Sequence, residues 1–274
     1  MRSRPFGCTG VDVPVIGIGT WKMERDNSVA AVNAIRRAIE IGMSHVDTAE
    51  MYGNGLVEMS VREAIAGVRD QVFLTSKVLP SNATHEGTVH ACEDSLARMK
   101  TDYLDLYLLH WRGETPLAET FGAFEALREQ GKIRAWGVSN FDVDDLDEAL
   151  AVAGPNKIAC NQVLYHLEDR TIEHAVIPWC ERNNVAVVGY SPFGSRRGFP
   201  KSQALAMLAP PFEATPRALA LAFLAQKAFV IPKSSNVEHV DQIARAGDLE
   251  LDADTIAAID AAFPLGPWRG LPSI

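Results

Sequence analysis

Short apolar or β-branched runs alternate along the chain with longer stretches whose apolar residues recur at three- and four-residue spacings. The runs predict strands ending near Gly19, Asp47, Lys77, His110, Ser139, Gln162, Tyr190 and Pro232. The stretches between them predict amphipathic helices, among them Ser28 to Ile41, Thr84 to Lys100, Pro116 to Gln130 and Ile172 to Asn183. Several ends carry chemical signals. A Ser28 hydroxyl can cap the first N–H groups of VAAVNAIRRAIEIG, and Gly42 can take the left-handed position that closes the helix. Pro116 suits a first helical turn, and Gly131 the end of the same helix.

Eight strands with crossover helices either close into a barrel or spread into a doubly wound sheet. The 274 residues lie near the roughly 250 usual for the closed form, so an α/β fold of the (β/α)8 TIM barrel type is predicted. No linker rich in Pro, Gly or Ser divides the chain, and one domain over residues 1–274 is expected. Two segments depart from the rhythm. RPFGCTGVDVP reads as an N-terminal β-hairpin turning at Thr9-Gly10, able to plug the amino-terminal mouth of a barrel. SPFGSRRGFPKSQALAMLAPPFEATP forms a long connection after Tyr190, before a helix resumes near Pro216. It leaves the carboxyl end of a strand, where barrel active sites are built.

Composition narrows the function classes. Hydrophobic residues make up 47% and charged residues 22%, the balance of a soluble globular protein. Lys and Arg number 26 against 35 Asp and Glu, and the net charge of −9 repels a phosphate backbone, so nucleic-acid binding is not expected. Cys8, Cys92, Cys160 and Cys180 form no C-x-x-C pair, which argues against a zinc knuckle or a dithiol redox motif. His45, His85, His90, His166 and His174 lack metal-ligand spacing, and no metal is expected. Val13 to Gly19 is interrupted by Pro14 and two glycines, and no apolar run approaches the ~18 residues of a membrane span, so a cytoplasmic protein away from membranes is expected.

The polar residues at the predicted strand ends are the informative ones: Asp47, Lys77, His110, Ser139, Asn140, Gln162, Tyr190, Lys233 and Ser234. One such residue alone is commonly a helix cap, but a barrel would gather all of them on one rim. Tyr52 follows Asp47 by five residues. A phenol with a pKa near ~10 donates protons poorly at neutral pH; an adjacent Lys77 ammonium is expected to lower that value, with Asp47 holding the ammonium charged. His110 can donate to a substrate carbonyl oxygen. Gly17-Ile18-Gly19 has no third glycine, so no Rossmann fingerprint is present.

The segments HVDTAEMYGN, VFLTSKV and YLDLYLLHW, together with GIGTW, GKIRAWGVSNF, GYSPFG and IPKSS, resemble the aldo-keto reductase family over nearly the whole chain. The resemblance implies a catalytic tetrad of Asp47, Tyr52, Lys77 and His110. None of these can supply a hydride, and the family implies NADPH as the donor to an aldehyde, ketone or dicarbonyl, with Tyr52 as general acid. It places Ser139, Asn140 and Gln162 on the nicotinamide carboxamide and stacks Tyr190 on the ring, with further contacts from Thr20, Asp47, Ser191, Phe193 and Gly194. It places Lys233, Ser234, Asn236, His239 and Gln242 at the adenosine end; the loop bearing Arg196, Arg197 and Lys201 has two readings, a cover folded over the pyrophosphate and a solvated basic loop. His239 stands where the family often has arginine, and Gln242-Ile243 where it often has Glu-Asn, which leaves NADH open as the cofactor. Trp21, Tyr52, His110 and Trp111 are expected to line the substrate opening, with Phe193 and Trp268 as further candidates. The short tail FPLGPWRGLPSI suggests an open site, and the run from Asp102 to Asp142 looks like bacterial members acting on methylglyoxal. Monomer is the family expectation. Two other readings are a cofactor-binding sensor barrel with little catalysis and a metal-dependent barrel hydrolase, the latter disfavoured by the histidine pattern.

Overall fold

A computed structural model of the chain describes residues 1–194, 199 and 203–272. The hairpin consists of β1 (Ser3–Pro5) and antiparallel β2 (Asp12–Pro14). Eight parallel strands follow: β3 (Ile18–Gly19), β4 (His45–Asp47), β5 (Phe73–Val78), β6 (Leu104–Leu109), β7 (Ile133–Ser139), β8 (Ile158–Leu164), β9 (Ala186–Tyr190) and β10 (Phe229–Ile231). They pair in chain order, and the sheet closes where Gly17 and Gly19 N–H groups donate to the Val230 and Pro232 carbonyls, each at 2.9 Å. A Cβ at Gly19 would stand 2.6 Å from the Ile231 carbonyl oxygen, so only glycine lets this seam form. The predicted (β/α)8 barrel is therefore the observed fold.

Both faces of the strands are buried. Outward residues meet the helices: Phe121 and Phe124 of α4 (Leu117–Glu129), for example, pack on Trp136 of β7 with ring centroids 4.6 and 5.5 Å away. Inward residues Phe73, Leu106, Leu108, Val188 and Phe229 fill the barrel. Phe6, fully buried in the hairpin connection, closes its floor at 5.0 Å from Phe73 and 4.8 Å from Phe229. The hairpin does plug the amino-terminal mouth. Its connection is wider than a Thr9-Gly10 dipeptide, containing a 3₁₀ turn at Gly7–Thr9 with Gly10 left-handed at φ 72°.

The helices are α1 (Ser28–Glu40), α2 (Leu56–Ile65), α3 (His85–Met99), α4, α5 (Val143–Ala153), α6 (Val176–Arg182), α7 (Gln203–Leu208), α8 (Pro216–Leu224), α9 (Val237–Arg245) and α10 (Ala253–Ala262). Three expected boundaries shift. Asn27, not Ser28, caps α1 by accepting from the Ala30 N–H at 3.0 Å, and Ser28 is the first helical residue. Pro116 is itself the cap residue of α4, with extended ψ of 132°. The stretch from Ile172 to Asn183 divides into a 3₁₀ turn at Thr171–Glu173 and α6, since Pro178 has no N–H to bond back across the junction. Gly42 and Gly131 close their helices at φ 90° and 73°, as their positions predict. The long connection after β9 carries α7, which the sequence pattern did not separate from a loop; Arg196, Arg197 and Lys201 lie outside the described residues. Among the described residues no helix is long and apolar enough to cross a membrane.

Candidate active site

Side chains alternate faces along a strand, so the period that puts Phe73 and Thr75 inside the barrel puts Lys77 there too. The same step of two carries Leu106 and Leu108 to His110, Cys160 to Gln162, and Phe229 and Ile231 to Lys233. Apolar residues fill the interior, and polar ones meet at its carboxyl-terminal rim.

At the centre Lys77 is fully buried, and its ammonium donates to Asp47 Oδ1 at 2.7 Å, to the Thr48 carbonyl at 2.8 Å and to Tyr52 Oη at 3.2 Å. Its three donors are thereby used. Asp47 Oδ2 accepts from Gln162 Nε2 at 2.7 Å, and its backbone carbonyl accepts from the Thr20 hydroxyl at 2.9 Å. Burial by itself would lower the Lys77 pKa, but Asp47 and Tyr52 outweigh it and hold the ammonium charged, with a net upward shift. Tyr52 Oη already accepts from Lys77, so its own proton remains to be given, and no acceptor for it stands among the described residues.

Burial is the largest influence on the Tyr52 phenol and pushes it up; Lys77 pulls it down, Asp47 opposes Lys77, and the net direction is upward. Lys77 does pull the phenol down, as expected, but burial outweighs it and Asp47 adds to the upward shift by opposing the ammonium. His110 stacks edge-on to Tyr52 at 5.9 Å, and burial, aided by the Lys77 charge, depresses its pKa to about 2. Its imidazole is neutral at physiological pH, and Nδ1 has no partner among the described residues.

Around this group opens a cavity of about 730 Å³, counting the space at its mouth that is open to solvent. Trp21, Trp111, Met51 and Ile231 give it apolar walls, while Tyr52 and His110 reach into it. Ser139, Asn140, Gln162 and Tyr190 line another side. Asn140 sits in the left-handed region at φ 60°, held there because its amide donates to the His110 carbonyl at 3.0 Å and accepts from the Tyr190 hydroxyl at 2.8 Å. A second cavity of about 520 Å³ is lined by Phe193, Arg217, Ser234, His239 and Gln242. Lys233 lines both.

This chain matches the model of the Aldo/keto reductase family over residues 15–263. It belongs to that family. The reductase is 43% identical over 262 residues to methylglyoxal reductase YeaE of Escherichia coli (strain K12), covering 93% of this chain and 92% of that protein. It is 34% identical to the glyoxal reductase of Bacillus subtilis (strain 168), over 92% and 90% of the two chains. An aldo-keto reductase from Klebsiella pneumoniae, solved in complex with NADPH, superposes with a TM-score of 0.93 at 39% identity and full coverage of both chains. As a member of the family the protein is an oxidoreductase that reduces carbonyl groups with a nicotinamide cofactor.

The structure gathers Asp47, Tyr52, Lys77 and His110, and sets Thr20, Trp21, Trp111, Ser139, Asn140, Gln162, Tyr190 and Ser191 on the same cavity. Some expected residues sit elsewhere. Phe193 faces the second cavity, not the substrate opening, because the chain turns away after Ser191 at φ 50°. Trp268 packs edge-on to His174 at 6.4 Å, on neither cavity. Asn236 spends its side-chain oxygen capping α9 through the His239 N–H at 3.1 Å. Gly194 supports the turn, donating to the Ser191 carbonyl at 2.8 Å, and lines neither cavity. Met51, Ile231, Arg217 and Asp26 went unrecognised in the sequence: Met51 and Ile231 stand inside quoted motifs as ordinary apolar residues, Arg217 and Asp26 stand in none, and only the closed barrel brings the four together.

Proposed function

We propose that this reductase acts on small aldehydes, ketones and dicarbonyls, methylglyoxal among them, with Tyr52 as the general acid. One observation carries the reading: a proton-bearing phenol on a cavity wall, backed at 3.2 Å by a fully buried ammonium that is itself paired to a carboxylate. The cofactor's fit rests on two cavities that share Lys233 in their walls, one offering amide and hydroxyl groups and an aromatic face, the other a lysine, an arginine and a histidine. NADPH, when bound, supplies the hydride to the carbonyl carbon.

The remaining chemistry belongs to the chain. Ser139, Asn140 and Gln162 hold and orient the amide end of the dinucleotide, and Tyr190 offers its ring to the same region. His110, neutral and reaching into the cavity, donates a ring N–H to the carbonyl oxygen. Negative charge growing on that oxygen meets the Tyr52 O–H, which transfers its proton; the phenolate left behind is stabilised by Lys77. Lys77 stays protonated throughout, held by Asp47. Trp21, Trp111 and Met51 exclude water from the reacting face. Apolar walls with few polar groups suit a small carbonyl compound, in keeping with the names of the relatives. One chain builds both cavities, so this reading takes residues 1–274 as one catalytic domain acting as a monomer.

Tyr52→Phe tests the assignment. The variant is expected to lose roughly 10²- to 10⁴-fold in kcat with methylglyoxal while retaining NADPH binding by fluorescence. Turnover within a few-fold of the unaltered enzyme would refute the acid role of Tyr52, and equal inactivity of both proteins across a panel of small carbonyls would refute the substrate class.

A further inference from the structure

The rim carries a carboxylate where a phosphorylated dinucleotide calls for positive charge. Asp26 lies between the 3₁₀ turn Met23–Arg25, just beyond β3, and the start of α1. Its Oδ2 accepts hydrogen bonds from Lys233 Nζ and, at 2.5 Å, from Ser235 Oγ. Lys233 lines both cavities, and both partners of the pair are only about two-thirds covered, at 33% and 31% exposure. Partial burial pushes the Asp26 carboxyl up, but the hydrogen bonds from Lys233 and Ser235 outweigh it, so the group is an anion at neutral pH.

We propose that Asp26 is a specificity-determining residue which weakens preference for NADPH over NADH by competing with the ribose 2′-phosphate for Lys233. The proposal rests on the cofactor reading above and goes beyond it. Among the described residues, the basic side chains lining the second cavity are Lys233, Arg217 and His239. Lys233 is already paired with Asp26. Arg217 lies over the Phe193 and Phe199 rings at 5.6 and 5.2 Å, and His239 supplies an imidazole in place of a guanidinium. A phosphate approaching Lys233 must share the ammonium with a neighbouring carboxylate or displace it, and the two anions repel. A ribose 2′-hydroxyl meets no such penalty; a carboxylate is a good acceptor for it. Because the pair is partly solvated, its effect is modest and screened by salt.

Asp26→Asn keeps the shape of the side chain and removes its charge. Equilibrium titrations following tryptophan fluorescence, with Trp21 and Trp111 on the first cavity, can be run with NADPH, NADH, 2′,5′-ADP and 5′-AMP. The variant is expected to bind NADPH and 2′,5′-ADP roughly three- to ten-fold more tightly at low salt, with NADH and 5′-AMP changing about two-fold or less and the gain shrinking as salt is added. Ser235→Ala, which leaves the carboxylate in place, is expected not to reproduce the gain. An Asp26→Asn protein with an unchanged ratio of NADPH to NADH affinity would overturn the inference, and so would equal weakening of both, the behaviour of a simple strap across the groove. Failure of the unaltered protein to bind either dinucleotide would overturn the cofactor reading itself, and this inference with it.

Discussion

At the scale of single residues the chemistry turns on a balance of opposing influences at Tyr52. Burial and Asp47 favour the neutral phenol, Lys77 favours the phenolate, and the former win. The consequence for pH is directional. With Tyr52 as the proposed acid, reduction draws on the protonated phenol, so kcat for reduction is expected to stay level through neutral pH and to fall only above the ordinary phenol pKa near ~10. Alcohol oxidation needs the phenolate and is expected to rise over the same alkaline range. Profiles of kcat against pH in both directions check this, and a reduction limb falling below about pH 8 would show Lys77 dominating instead. Asp47, Tyr52, Lys77 and His110 were legible because they stand in the motifs that carry the family resemblance. The direction of the phenol's shift was not, since it depends first on how completely the closed barrel buries the phenol and then on the opposed charges of Lys77 and Asp47.

At the scale of elements, strand ends were readable and helix starts less so. A strand's interior period is set by its own side chains, which is why Lys77, His110, Gln162 and Lys233 could be placed at one rim. A helix start depends on which neighbouring side chain reaches the first free N–H groups, and at α1 both Asn27 and Ser28 are able caps. The most completely capped helix is α5, directly after Asn140 and Phe141. Asp142 accepts from the Asp145 N–H at 3.0 Å, and Asp145 accepts from the Asp142 N–H at 3.3 Å. Asp142→Ala is expected to cost about 0.5–2 kcal/mol, lowering the melting temperature by a few degrees in calorimetry or circular dichroism. An unchanged melting temperature would show that packing of α5 on the barrel, not the cap, secures its start.

For the whole molecule, the barrel floor couples stability to acid. His45 lies between the Phe6 and Phe73 rings, and burial depresses its pKa from the ordinary 6.5 to about 4. Between those values the unfolded chain binds a proton that the folded one does not, so stability is full above pH ~6.5 and declines as pH falls toward 4. The decline attributable to His45 is on the order of 3 kcal/mol. His110, depressed for the same reason, extends the slope to lower pH. His45→Phe is expected to flatten the dependence of melting temperature on pH between 6.5 and 4, and an unaltered slope would assign the acid sensitivity to other groups. Nothing in the hydrophobic pattern distinguishes His45 from an exposed histidine; the hairpin folding back beneath the barrel buries it.

The amino-acid sequence by itself determined the alternation of strands and helices, the closed barrel and the tetrad, because periodicity and motif are properties of neighbouring residues. Tertiary structure alone decided what these groups do to one another. Gln162 bonds Asp47 across 115 positions, and Lys233 pairs with Asp26 across 207. Charge, burial and hydrogen bonding act through space over a few ångströms, and only closure of the barrel brings such distant residues within that reach.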